Sequence, residues 1–134
     1  MILGKIFDKL SPYLYIVFRV FVGALFLQHG AQKLFGMFSD KGSVALASLM
    51  GLAGIIEFFG GLLIILGFFT RLMSLIAAIE MVIAYFMAHF PKGFVPIQNG
   101  GELALLYFAA FLVLLCHGAK KWSLEKAILK KEIF

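Results

Sequence analysis

Four apolar runs, separated by three short polar breaks, organise the chain. They extend from Pro12 to Phe35, Val44 to Phe69, Leu72 to Phe90 and Glu102 to Gly118. Each approaches the roughly 20 residues that an α-helix needs to cross about 30 Å of hydrocarbon. Backbone exposed to lipid must satisfy its own hydrogen bonds, so a spanning segment is either a helix or part of a closed barrel, and no alternating strand pattern favours the barrel. Gly36 to Gly42, Thr70-Arg71, and Pro91-Lys92-Gly93 through Asn99-Gly100-Gly101 form the breaks. Connections this short set neighbouring helices antiparallel. The expected fold is all-α: a single integral membrane domain over residues 1–134, built as an up-down four-helix transmembrane bundle. Short amphipathic segments are expected at both ends. Ile2, Leu3, Ile6, Phe7 and Leu10 recur opposite Lys5, Asp8 and Lys9, and Leu124, Ala127 and Ile128 oppose Glu125, Lys126 and Lys130, with Trp122 as an interfacial anchor.

Composition removes the soluble alternative. Of 134 residues, 63% are hydrophobic and only 14% charged, against about a quarter charged in soluble domains. The mean hydropathy of +1.02 agrees. A lipid bilayer is therefore the expected partner. The net charge of +5 does not redirect this towards nucleic acid, because five lysines cluster after Gly118, where a membrane protein keeps cytoplasmic charge. Four crossings put both termini on one side, together with Lys5, Lys9, Arg71 and the tail lysines, against Lys33, Lys41 and Lys92 on the other; the positive-inside rule makes the richer side cytoplasmic. No small-residue cleavage site follows the first apolar run, so no removable leader is expected. The single cysteine, Cys116, excludes an internal disulfide and is expected to be a packing residue.

Ionisable residues inside the crossings carry the chemistry. Each costs on the order of 2.5 to 3.5 kcal/mol at the bilayer centre and so asks for a partner or a purpose. Arg19 and Glu80 lie at equal depth on the first and third helices, which makes them a candidate ion pair; Glu57, in the middle of the second, is the alternative partner for Arg19. Nearer the other face the first helix carries Gln28, His29 and Lys33, the third ends at His89, the third break supplies Gln98 and Asn99, and the fourth helix opens with Glu102. These converge on one outer cavity. It reads either as a ligand pocket or as a hydrogen-bond network that fixes helix order. His29 and His89 would also permit a bis-imidazole haem, a weaker reading because lone histidines at helix ends more often serve networks or headgroups. Gly54 and Gly61 flank Glu57, and Ala77 and Ala84 flank Glu80, so those faces should point inward. No nucleophile elbow, phosphate loop or nicotinamide fingerprint is present, since the paired glycines have no strand before them.

The same residues carry a family resemblance. Arg19-Val-Phe-Val-Gly-Ala-Leu-Phe-Leu-Gln-His-Gly-Ala-Gln-Lys-Leu-Phe-Gly36 is similar to the opening signature of the DoxX family of small bacterial membrane proteins. Glu57 through the paired glycines and Leu-rich run to Thr70-Arg71 resembles that family's second helix, and Gly118-x-x-x-Trp-Ser-Leu-Glu125 its ending, with Glu125 where Asp is more usual. The resemblance implies the four-helix fold, the bacterial inner (plasma) membrane, and Arg19, Gln28, His29, Lys33 and Glu57 as a shared polar set. It also implies an association with quinone-linked sulfur oxidation, by family name and not by any site.

Two functions follow as expectations. One is an accessory membrane subunit of a quinone-linked or thiol-linked oxidoreductase, binding a quinone or similar small carbonyl compound. Its site set would be Arg19, Gln28, His29, Lys33, Glu57, Glu80, His89 and Glu102, with Lys33 and His29 as donors and Glu57 or Glu102 exchanging protons. The other is a non-catalytic protein that stabilises or escorts a membrane partner. A transporter is a third class; with four helices and no inverted repeat it would need a homo-oligomer.

Overall fold

The computed structural model describes residues 1–134. Six α-helices follow in order: α1 (Ile2–Phe35), α2 (Leu49–Leu66), α3 (Thr70–Ala84), α4 (Pro96–Asn99), α5 (Glu102–His117) and α6 (Leu124–Leu129). A π-helical turn (Tyr85–His89) and a 3-10 turn (Phe90–Lys92) prolong α3, and no strand forms. Three helical stretches are long and apolar enough to cross a membrane: Ile2–Phe35, Leu49–Leu66 and Thr70–Lys92. The last expected crossing, α5, is apolar but only 16 residues long, about 24 Å at helical rise.

The amphipathic N-terminal segment is not a separate element. Helix α1 runs unbroken through Pro12, which lies about three turns in and removes one backbone donor without ending the helix. Helix α2 begins where Ser48 caps it, its hydroxyl accepting the Gly51 N–H at 3.0 Å. It ends at Gly67, whose φ of 67° only glycine adopts freely and which lets the Phe68 N–H reach back to the Leu63 carbonyl at 2.9 Å. The chain turns there, and three residues separate the end of α2 from the start of α3.

Burial is inverted relative to a water-soluble protein. Arg19 and Glu57 are among the most buried side chains, while Phe21, Leu25, Phe59, Ile79 and Leu106 are exposed. This is the distribution expected when hydrocarbon is the outer solvent.

Two helix pairs make the body. Helix α1 packs along α2 and α3 along α5; α2 and α3 touch less, and α1 meets α5 at few points. Small residues close the first pair. A Cβ on Gly61 would lie 2.6 Å from the Gly23 carbonyl oxygen, and one on Gly23 would lie 2.8 Å from that of Gly61, so only glycine permits this backbone approach. The pairs share a core in which Phe26 of α1 meets Phe111 of α5 edge-on with ring centroids 4.7 Å apart, beside Ile64, Ala77, Met81 and Leu114.

The tail after α5 folds back over the α2–α3 turn. The Arg19 guanidinium donates to the carbonyls of Ala119 (2.5 Å), Trp122 (2.9 Å), Lys121 (3.0 Å) and Ile65 (3.3 Å). The Tyr15 hydroxyl donates to Gly118 at 2.7 Å, and the Ser123 hydroxyl to Gly67 at 2.9 Å. Arg71 donates to the Leu115 and Cys116 carbonyls, so the open end of α5 is satisfied by a side chain of α3. Cys116 itself is exposed, contrary to its expected packing role: its helix face lies outside the core that Phe111 and Leu114 fill.

Candidate functional site

At the end remote from Arg19 the helix pairs separate around a cavity of about 690 Å³. Its one lysine or arginine is Lys33 of α1, whose Nζ lies 2.6 and 2.5 Å from the two carboxylate oxygens of Glu57 on α2. Gly54, one turn before Glu57, makes this contact reachable: a Cβ there would stand 3.0 Å from the Lys33 Cβ. The pair is held mostly out of solvent, so it neutralises two charges that would otherwise be costly in the interior.

Glu80 of α3 faces the same cavity with no salt-bridge partner, and its Oε2 is buried without a hydrogen bond. His29 packs edge-on against Tyr107 of α5, centroids 5.8 Å apart. His89 closes the π-helical turn, its Nδ1 3.2 Å from the Asn99 carbonyl. Buried Asn99 fixes that corner, donating to the Tyr85 hydroxyl at 3.2 Å and the Gly93 carbonyl at 2.9 Å while its Oδ1 accepts the Gly101 N–H at 2.8 Å. The wider π turn re-aims Met87, Ala88 and His89 relative to the helix below, a distortion that recurs at functional sites.

Five of the eight residues expected from sequence thus meet: His29, Lys33, Glu57, Glu80 and His89. Three do not. Gln28 is exposed on the outer side of α1, and Glu102 is exposed at the first turn of α5, where a carboxylate complements the helix dipole. Arg19 lies at the opposite end. The expected ion pair of Arg19 with Glu80 or Glu57 does not form, because four backbone carbonyls already surround the guanidinium and Lys33 holds Glu57. Tyr107 was not anticipated: a tyrosine within an apolar run reads as an interface anchor or packing residue, and its place beside His29 depends on how α5 crosses α1.

An all-helical membrane protein with a mainly apolar cavity that holds a lysine–glutamate ion pair is the class that this geometry defines. Residues 14–90 match the DoxX family, and the chain belongs to it. It is 40% identical to an uncharacterised protein of Haemophilus influenzae over 131 residues, covering 92% of this chain and 97% of that one. It is 28% identical to an uncharacterised membrane protein of Mycobacterium tuberculosis over 138 residues, covering 90% and 85%. A second Haemophilus influenzae protein is 35% identical over 68 residues, 51% of this chain and 45% of its own length. No solved structure matches.

Proposed function

We propose that this protein is an accessory membrane subunit of a quinone-linked or thiol-linked redox system, and that its cavity holds a quinone head or a similar small carbonyl compound. The supporting observation is the composition of the cavity wall: 16 of 22 lining residues are hydrophobic, Tyr107 with its hydroxyl among them, and the remaining side chains are the Lys33–Glu57 pair, Glu80, His29 and His89. Apolar walls with few convergent polar groups characterise small-molecule sites. Lys33 spends two of its three donors on Glu57 and has one left for a ligand oxygen. His29 supplies a second donor, and Glu80 can hold or accept a proton beside the head. Glu80 takes the role expected of Glu102, which lies outside the cavity.

In this reading α5 is the fourth crossing of an up-down bundle in the bacterial inner membrane. Both termini are cytoplasmic, and the Arg19 end, with the lysine-rich tail, faces the cytoplasm. The short α5 is extended at its far end by α4 and at its near end by the docked tail.

Equilibrium binding of a decyl-tailed benzoquinone to the protein in phosphatidylcholine nanodiscs tests the site. Binding that weakens about tenfold or more in Lys33→Ala and His29→Ala supports it. Binding unchanged by either substitution places the ligand elsewhere, and no binding by the parent protein ends the quinone reading. In that last event a stoichiometric protein retained on gentle purification favours an escort of a membrane partner instead.

A further inference from the structure

The wall of the cavity is not closed between α2 and α3. Met50 and Leu52 on α2 and Ile79, Ile83 and Met87 on α3 and its π extension all line the cavity, and all five are about half exposed at the outer surface. Ile79, Ile83 and Met87 recur every four residues, so they form one stripe along the edge of the opening. The gap follows from the helix pairing, since α2 and α3 are joined at Gly67–Phe69 and make less contact with each other than with α1 and α5. Every residue of this rim is apolar, and it lies between two stretches long and apolar enough to span a membrane. The opening therefore meets hydrocarbon sideways and not an aqueous face.

The charge balance inside restricts the head of any occupant. Lys33 is the one lysine or arginine in the wall, and Glu57 already neutralises it. Glu80 adds acid and no base. An anionic phosphate or carboxylate head would find no free counter-charge and would sit against two carboxyl groups.

From these two observations we infer that the α2–α3 gap is a lateral portal, and that the site takes a bilayer-resident amphiphile whose uncharged, hydrogen-bonding head sits among Lys33, His29 and Glu80 while its tail leaves between Ile79 and Ile83 and the α2 edge. This rests on the small-carbonyl reading above and narrows it to ligands delivered from the membrane itself.

Two probes in the same nanodiscs test it: the decyl-tailed benzoquinone and the same benzoquinone without a tail. Ile79→Trp and Ile83→Trp fill the portal from exposed positions, and Leu112→Trp, exposed on α5 away from the cavity, is the control. The portal variants should weaken the tailed probe about tenfold or more and leave the tailless one unchanged, with no effect of the control. Unchanged binding of both probes overturns the portal while the head site stands. Equal loss of both also overturns it, because the substitutions then act on the head site and not on a tail in the gap. No binding of either probe by the parent protein is the distinct failure of the underlying reading, and the portal falls with it.

Discussion

The two ends of this helical body use the same kinds of residue to opposite effect. At one end Arg19 is surrounded by four carbonyls, the tail is folded over it, and the side chain is buried. At the other, Lys33 is matched by a single carboxylate and borders a cavity of about 690 Å³. A guanidinium has five donors in a fixed fork and suits backbone that must be held in place, whereas an ammonium paired to one carboxylate keeps a donor spare. The closed end is built for order. The open end retains unspent hydrogen-bonding capacity.

That contrast has its largest expected consequence at Arg19. Replacing it with Ala leaves the carbonyls of Ala119, Lys121, Trp122 and Ile65 without a donor, and a loss of about 3 to 5 kcal/mol is expected, since each stranded carbonyl costs about 1 to 3 kcal/mol less what water recovers. Unfolding in mixed micelles checks the magnitude. Protease cleavage within the tail should rise in the same variant, and an unaltered cleavage pattern would show that the tail is held by something else.

A smaller effect is expected at the open end. Glu57→Gln leaves Lys33 charged beside a weaker acceptor and should destabilise by about 1 to 3 kcal/mol, less than Arg19→Ala because the cavity gives the lysine room to relax. The double variant with Lys33→Met should recover part of that loss. A double-mutant cycle with zero coupling would break the assignment of these residues as a pair.

The smallest effect belongs to pH. In the tail, Glu132 accepts from the Ala119 N–H at 3.0 Å, meets Lys126 Nζ at 3.0 Å and lies 4.0 Å from Arg71 Nε. Burial alone would raise its carboxyl, but the hydrogen bonds and the two cations outweigh it and hold the group below the ordinary carboxylate range. Its stabilising contribution is thus complete above that range and is lost as pH falls through the lowered value. Both cations are substantially exposed, so the contribution is about 1 kcal/mol or less. A spin label at Lys131 should gain mobility on acidification, and Glu132→Gln should remove the response. A label equally mobile at neutral and acid pH would count against it.

The apolar runs showed where the helices are because hydrocarbon imposes a simple rule on length and polarity, and α2 and the α3 extension follow it. The inward faces around Glu57 and Glu80 were legible too, since Gly54, Gly61 and Ala77 sit at helical spacing from them. The pairing of Arg19 was not legible. Matching by depth considers side chains only, and its actual partners are backbone carbonyls, three in a tail at least 100 residues away and one at Ile65 of α2, which carry no residue-type signal. Lys33 and Glu57 were both placed in the polar set, but their pairing depends on how closely α1 approaches α2 at Gly54, a packing distance and not a pattern.

Gly67 has a mechanical consequence. Beyond its positive φ, a Cβ there would stand 3.0 Å from Ser123 Cα and 3.1 Å from Arg19 Nη1, so the turn is wedged against the docked tail as well as bent. The turn thereby fixes the directions in which α2 and the α3 extension leave it. A tilt of about 5° over an 18-residue helix about 27 Å long moves its free end by about 2 Å. Side-chain changes at this turn would thus be read out as a change of aperture at the far rim, where neither Gly67 nor Arg19 makes any contact.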